Sequence, residues 1–453
     1  MKTPELLLPA GTLKNMHYAF AYGADAVYAG QPRYSLRVRN NDFMLENLGK
    51  GIHEAHRLGK KFFVASNILP HNAKIKTYLK DMAPVIAMQP DALIMADPGL
   101  IMMVREKWPE VPIHLSVQAN TMNYAAVKFW QSVGIERIIL SRELSLDEVE
   151  DIRQRCPDIG LEVFVHGSLC VAYSGRCLLS GYFNHRDPNQ GTCTNACRWD
   201  YKMHEAGETE SGDIKKIQFD AMSAMKQSEA FADDKPNSNR HPLADEVYLI
   251  EEQGRQGEYM PIMEDEHGTY IMNSRDLRAI QHIERLSRIG IDSLKIEGRT
   301  KSHYYVARTA QLYRQAIDDA AAGRTFNAEL YGKLEGLANR GYTEGFYQRH
   351  PDQDYQNYLQ NVSHSQQQQF VGEITHFDQN KGMAEILVKN KIRVGDQLEI
   401  ISPTGNQNLI LRHMENLQGV PMDEAPGAGY QVRIPLPAAN YERGLLARYL
   451  PGA

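Results

Sequence analysis

One regularity limits what this chain can become. Up to about residue 170, short apolar runs alternate with segments of helical length and helical periodicity. The runs at 5–9, 26–29, 62–66, 92–95, 113–117, 137–140 and 162–165 read as strands. The segments 13–23, 45–58, 75–88, 100–107, 124–134 and 146–156 read as helices, and Asp147, Glu148 and Glu150 open the last of these where carboxylates favour the helix dipole. The rhythm stops at Gly167. It resumes with a helical pattern at 274–289, an eighth apolar run at 293–296 and a long helical pattern at 302–322. Seven strand–helix units, an interruption and one more predict an α/β fold. Its catalytic domain is a (β/α)8 TIM-like barrel over residues 1–325, with a cysteine-bearing insertion at 168–272 after strand seven. A doubly wound open sheet is the alternative, weakened because no G-x-G-x-x-G follows any strand.

Within the insertion, residues 205–246 are polar and read as a mobile loop, while 248–251, 259–263 and 269–272 read as short strands. Residues 326–369 form a connector ending in the polar linker SHSQQQQ. The period then changes. Runs at 370–374, 383–388, 397–401, 409–413 and 431–434, split by Gly and Asp turns, predict a small C-terminal all-β barrel over 370–453.

Composition excludes several classes. With 42% apolar and 23% charged residues the chain is globular rather than disordered. No apolar stretch approaches the ~18 residues of a membrane span, and the first residues lack a signal-peptide core, so a cytoplasmic protein with no membrane partner is expected. The net charge of −6 argues against a generally basic nucleic-acid binder but allows a local basic patch.

The chemistry-bearing signal is a cluster of thiols. Of five cysteines, Cys170, Cys177, Cys193 and Cys197 lie together as C-x6-C-x15-C-x3-C, beginning at the carboxyl end of strand seven. Four thiolates suit an iron–sulfur cluster or zinc. The wide gaps fit a zinc knuckle less well, and a barrel does its chemistry at the strand ends. Inert buried thiols remain the plain alternative, and Cys156, ending a helix before Pro157, reads as packing. The C-x3-C-x2-C triplet of radical S-adenosylmethionine enzymes is absent.

Strand ends place polar residues on one rim: Tyr28, Gln31, Asn67, Asp97, Gln118, Asn120, Arg142, Glu143, His166, Lys295, Glu297 and Arg299, with His303 just beyond. Of these Arg142, Glu143, His166, Lys295, Glu297 and Arg299 are the candidate catalytic residues. Arg142, Lys295 and Arg299 together suit an anionic co-substrate, carboxylate or phosphate. His53-Glu54-Ala55-His56 is one residue short of a zinc-protease motif, and His166-Gly167-Ser168 lacks the nucleophile elbow. Arg37 and Arg39, with Tyr34 and Phe43, offer a basic and aromatic loop suited to nucleic acid, or simply a solvated one. Lys381, Lys389, Lys391 and Arg393 make a second basic stretch, open to the same two readings.

The run EVFVHGSLCVAYSGRCLLS at 162–180 resembles the signature of the collagenase-like peptidases of unassigned mechanism. ELLLPAG, GADAVYAG, HLSVQAN, SREL, CTNACRW and KIEGR extend the resemblance over the barrel, and the 370–450 module is similar to a β-barrel tail in one branch of that family. Despite the peptidase name, the resemblance implies oxygen-independent hydroxylases carrying a [4Fe–4S] cluster on four cysteines. Here those would be Cys170, Cys177, Cys193 and Cys197. It implies targets among ubiquinone precursors, a ribosomal RNA cytidine or the wobble uridine of tRNA, with prephenate as co-substrate in the RNA-directed reactions. The leading expectation is therefore a tRNA hydroxylase forming 5-hydroxyuridine in the anticodon loop, with an electron donor protein as a candidate partner. A metal- or thiol-dependent peptidase and a non-catalytic, cluster-stabilised RNA-binding accessory protein are the alternatives.

Overall fold

The computed structural model describes residues 2–30, 33–35, 42–168, 172–173, 176–177, 201–208, 214–216, 248–252, 259–265, 268–271, 276–337, 341–348 and 368–450. Seven parallel strands follow one another in the chain: β1 (Glu5–Pro9), β2 (Ala26–Gly30), β3 (Lys61–Ser66), β4 (Ala92–Met95), β5 (Ile113–Leu115), β6 (Arg137–Ile139) and β7 (Gly160–Ser168). Each pairs in parallel with the next. The helices between them are α1 (Leu13–Ala21), α2 (Leu45–Arg57), α3 (Asn72–Ala87), α4 (Pro98–Lys107), α5 (Tyr124–Ser132) and α6 (Leu146–Arg155). The strands are nearly continuous buried runs, as parallel strands covered on both faces must be. Local capping sets where the helices begin. Thr12, Asp97 and Asn123 accept from the first-turn amides of α1, α4 and α5, and Ser145 with Glu148 forms a reciprocal capping box on α6.

The insertion contributes the short hairpin β8 (Ala172–Tyr173) and β9 (Arg176–Cys177). It also contributes β10 (Tyr201–Glu208), β11 (Ile214–Lys216), β12 (Tyr248–Glu252), β13 (Tyr259–Asp265) and β14 (Gly268–Ile271). These last five form one antiparallel sheet in the order β11-β10-β12-β13-β14. The expected loop at 205–246 is thus corrected at two places, since 205–208 and 214–216 are strand. Backbone pairing of β10 with β12 outweighs the polar composition that suggested a loop.

A second correction falls at 274–289. Instead of one helix, β15 (Asp276–Arg278) runs antiparallel to β7 before α7 (Ile283–Ile289) begins. The nine-residue β7 overruns the barrel, and its free edge takes the returning chain: Asp276 faces Ser168, Leu277 faces Gly167 and Arg278 faces His166. The eighth barrel strand, β16 (Ser293–Ile296), pairs in parallel with both β7 and β1 and closes the ring. Then come α8 (His303–Ala321), α9 (Glu329–Glu335) and β17 (Tyr342–Thr343), which pairs with β15.

The C-terminal module is an antiparallel half-barrel. Its strands are β18 (Gln368–Asp378), β19 (Met383–Val388), β20 (Asn390–Arg393), β21 (Gln397–Ile401), β22 (Gln407–Ile410), β23 (Glu415–Asn416), β24 (Glu424–Gly427), β25 (Gln431–Pro435) and β26 (Leu445–Tyr449). Seven of them order as β22-β21-β26-β18-β19-β25-β23, with β20–β24 as a separate pair. The end of the expected linker is strand: Gln368 is buried and donates to Glu399 at 2.7 Å.

The module is fastened to the barrel by a buried seam. Ile401, Leu445 and Ala447 join the barrel's apolar core, and Tyr22 donates to the carbonyls of Ile401 and Arg443, each at 2.9 Å. Arg308 of α8 meets Glu399 of β21 at 2.8 Å with both side chains almost fully enclosed. Removing one partner from such a pair strands a buried charge, at a cost of about 3–5 kcal/mol. Arg308→Ala should lower the unfolding free energy by about that amount. Lys14→Ala, which removes a half-exposed partner of Glu373 on the same seam, should cost at most about 1 kcal/mol. Urea denaturation of the two variants checks this; equal losses would mean that the buried pair is not the stronger tie.

Candidate active site at the barrel mouth

The barrel interior is ionic where most such barrels are aliphatic. Glu5 of β1 meets Arg137 of β6 at 2.6 Å and Lys61 of β3 at 3.0 Å. Neither β3 nor β6 is a neighbour of β1, so the pairs reach across the barrel, with the half-exposed Lys61 at its amino-terminal end. Arg137 continues to Glu162 of β7 at 3.3 Å, and Glu162 to Lys295 of β16 at 2.9 Å. Lys295 also lies 4.4 Å from the centre of the Tyr28 ring and 5.5 Å from that of Phe164. Burial pushes the Lys295 ammonium below its usual range, and Glu162 then Glu297 pull it back up. His114 points into the same region with Nδ1 unpartnered among the described residues. Burial first, and then Arg137, Lys295 and Lys61, keep it neutral.

At the carboxyl ends of β6, β7 and β16 the ionic chain reaches the rim. Arg142 lies with its guanidinium 3.9 Å from the centre of the Phe164 ring, the same ring that Lys295 approaches. It donates to the Ser168 carbonyl at 3.1 Å and stands 3.5 Å from Glu297. Its Nε is buried without an acceptor among the described residues. Arg299 donates to the Ser35 hydroxyl at 2.5 Å. A methyl group at Gly30 would come within 2.1 Å of the Arg299 guanidinium, so the absence of a side chain at 30 makes room for that arginine. Gly167, at φ +102°, serves the Glu297 segment likewise: a Cβ there would meet the Glu297 carbonyl at 2.5 Å.

The predicted rim residues therefore separate. Arg142, Glu297 and Arg299 gather near the mouth. Lys295 lies deeper, inside the barrel and tied to Glu162. Glu143 accepts from the Ser141 hydroxyl beside its own strand end. His166 is placed elsewhere. The β7–β16 register slips between Lys295 and Ile296, and this bulge turns His166 out of the barrel against Tyr305, Tyr313 and Tyr342. Burial there, with Arg278 and Lys301 nearby, pushes its pKa down to about 3, so it is a neutral packing group. Asp97 caps α4, and His303 stands 3.1 Å from Glu373 on the seam with the C-terminal module. Sequence reading missed Glu162, Arg137 and Glu5, although charged residues at strand starts amid apolar runs were a visible signal.

The two basic stretches are also resolved in part. Tyr34 and Phe43 are fully buried, packed on Tyr78 and Phe62, so their rings are not open to a base; Arg37 and Arg39 lie outside the described residues. In the C-terminal module, Lys391 and Arg393 pair with Glu424, Lys389 with Glu373, and Lys381 lies 4.0 Å from Asp378. That stretch is locally neutralised.

Cys170, Cys193 and Cys197 lie outside the described residues, as does the Cys177 side chain. The β8–β9 hairpin pairs the Cys177 backbone with Ala172, two residues past Cys170 in sequence. β7 ends at Ser168, so the thiol-bearing segment starts at the mouth. Among the described residues no group of three His, Cys, Asp or Glu side chains is placed to hold a metal. Cys156 is buried at the end of α6. A separate cleft of about 560 Å³ opens at the opposite, amino-terminal end of the barrel, where Lys2, Lys60, Lys61 and Arg314 already pair with Asp292, Asp25 and Glu5.

Glu162 is the pivot of the interior chain, and its removal has a defined pH signature. A lysine whose folded pKa lies below the unfolded 10.5 sheds its proton first in the folded state, so its contribution to stability grows as pH rises toward that value. Glu162→Gln removes the main upward pull on Lys295 and widens this window. The variant should be destabilised by about 3–5 kcal/mol at neutral pH and recover part of that loss on the alkaline side. Urea midpoints measured across the alkaline range would show a steeper rise than wild type; parallel curves would exclude the coupling.

Residues 11–357 match the family description "Peptidase family U32", and residues 366–448 match "Peptidase family U32 C-terminal domain". The chain is 62% identical over 438 residues to the "tRNA hydroxylation protein P" of Escherichia coli (strain K12), covering 96% of this chain and 94% of that one. It is 58% identical to the protein of the same name from Haemophilus influenzae (strain ATCC 51907 / DSM 11121 / KW20 / Rd), covering 99% and 96%. It is 29% identical over 76% of its length to the "23S rRNA 5-hydroxycytidine C2501 synthase" of Escherichia coli (strain K12), of which it spans 45%. With a closed parallel barrel, a C-terminal β module and matches that take in both, this chain belongs to peptidase family U32.

Proposed function

We propose that the protein is an RNA-modifying enzyme that hydroxylates tRNA, forming 5-hydroxyuridine at the wobble position of the anticodon without using molecular oxygen. The observation that carries this reading is the 62% identity along almost the whole chain to a tRNA hydroxylation protein. The geometry is consistent with it. The mouth between β6, β7 and β16 puts Arg142, whose Nε has no partner among the described residues, beside Glu297 and the Phe164 ring, and the thiol-bearing segment leaves from the same strand end. A bidentate arginine is the ordinary partner of a carboxylate, so Arg142 suits one carboxylate of prephenate, the co-substrate in this reading. An anticodon loop presents bases that leave the stack at low cost, and an enclosed mouth protects the reacting centre from water.

In this proposal Cys170, Cys177, Cys193 and Cys197 hold a [4Fe–4S] cluster, which would supply redox chemistry at the mouth. Lys295 and Glu162 keep the floor of the mouth electrostatically fixed. Neutral His166, behind β7, acts only by packing. Peptidase action is the weaker reading, because His166, the histidine closest in sequence to Cys170, is buried against tyrosines away from the barrel interior.

Two outcomes are expected. Protein purified without air should be brown and carry about four iron and four sulfide per chain. Alanine at any of Cys170, Cys177, Cys193 or Cys197 should bleach it, and Cys156→Ala should not. Stoichiometric zinc without iron would overturn the cluster. Mass spectrometry of tRNA nucleosides from anaerobically grown deletion cells should show loss of 5-hydroxyuridine and its derivatives. Wild type should restore them and the Cys170→Ala and Arg142→Ala variants should not. Wild-type nucleoside levels in the deletion cells would overturn the tRNA reading.

A further inference from the structure

Many of the described cations in this protein are held by carboxylates. Arg285 meets Asp147, Arg155 meets Asp151, Arg314 meets Asp25 and Asp318, and the basic C-terminal stretch is paired as well. Helix α3 departs from this. Among the described residues, no carboxylate lies within ion-pair distance of Lys74, Lys76 or Lys80. The one acid in the helix, Asp81, is already taken at 2.6 Å by both Arg33 and the Tyr34 hydroxyl. Lys76 and Lys80 are exposed and stand one turn apart, on one face. Lys74 sits in the first turn, where the helix dipole disfavours a cation, and no acidic residue accompanies it there. Three local preferences are thus set aside together, and local rules broken without compensation mark function more often than folding.

The helix starts just past the carboxyl end of β3, on the same rim as Arg142 and Glu297. From Lys74 to Lys80 it runs about 9 Å along its axis. In a chain of net charge −6, this patch is where a polyanion meets attraction rather than repulsion. We propose that α3, through Lys76 and Lys80 on its solvent face and Lys74 in its first turn, tracks the sugar–phosphate backbone of the tRNA anticodon arm while a loop base enters the mouth. The inference rests on the tRNA reading above and adds to it the surface that carries the RNA.

The test is fluorescence anisotropy of a labelled anticodon stem-loop RNA titrated with full-length protein purified without air, from about 50 to 200 mM salt. Each phosphate contact adds about 0.7 to the slope of log affinity against log salt for a single strand, so the combined Lys74→Ala, Lys76→Ala, Lys80→Ala variant should lower it by about 2. Affinity at the low-salt end should fall about tenfold or more. The three lysine-to-arginine changes should keep both affinity and slope, and so should Lys381→Ala combined with Lys391→Ala. Lys76→Gln alone, at an exposed position, should lower the slope by about 0.7 and serves if the triple variant folds poorly. Wild-type affinity and slope in the α3 variants would overturn the proposal and leave these lysines to an acidic protein partner. No binding of the stem-loop by wild type would bring down the tRNA reading itself.

Discussion

The pair between Glu162 and Lys295 is the contact on which the rest of the barrel depends. It joins β7 to β16, the strand that closes the ring, and does so in the interior where neither charge reaches water. Through Arg137 and Glu5 the same chain reaches across to β6, β1 and, by Lys61, β3. Such a core is not the most stable one available, since buried charges repay their desolvation only with complete partnering. What it supplies is position. An aliphatic floor would tolerate repacking, whereas a chain of alternating charges fixes which side chain faces which. Phe164 then transmits that order to the rim, because Lys295 approaches its ring and Arg142 lies against it.

Strand β7 organises everything above that floor. Its extra length takes up β15, its bulge sends His166 outward, and its last residue hands the chain to the thiol-bearing segment. Gly167 permits the close approach of the Glu297 backbone that the bulge requires. The site thus depends on one strand being irregular where its neighbours are regular, and irregular strand ends are where barrels place their chemistry.

Much of this was legible in the residues. The strand–helix rhythm gave the barrel because parallel strands buried on both faces are unbroken apolar runs, and capping residues such as Ser145 and Asp97 mark helix starts. The gathering of Arg142, Glu297 and Arg299 followed from strand-end position alone. His166 did not, because a bulge depends on the register with a strand far along the chain, and no local pattern encodes it. The strand at 276–278 was hidden for the same reason: its partner is the overrun of β7, not its own neighbours. The interior ionic chain was missed because Glu5, Lys61 and Arg137 each begin a strand, where a charge ordinarily faces solvent.

The insertion also sets the order of assembly. About 125 residues separate the end of β7 from the start of β16, and at ~5–20 residues per second their synthesis takes about 6–25 s. During that interval β16 is still unmade, so β1 and β7 both lack the neighbour that will close them. Open edges template wrong pairings, so the chain is exposed to edge-to-edge aggregation until β16 arrives. Glu162 waits through the same interval with Lys295 not yet made. Closure is therefore a late, long-range event, and expression yield should be governed by translation speed across the insertion as much as by the stability of the finished fold.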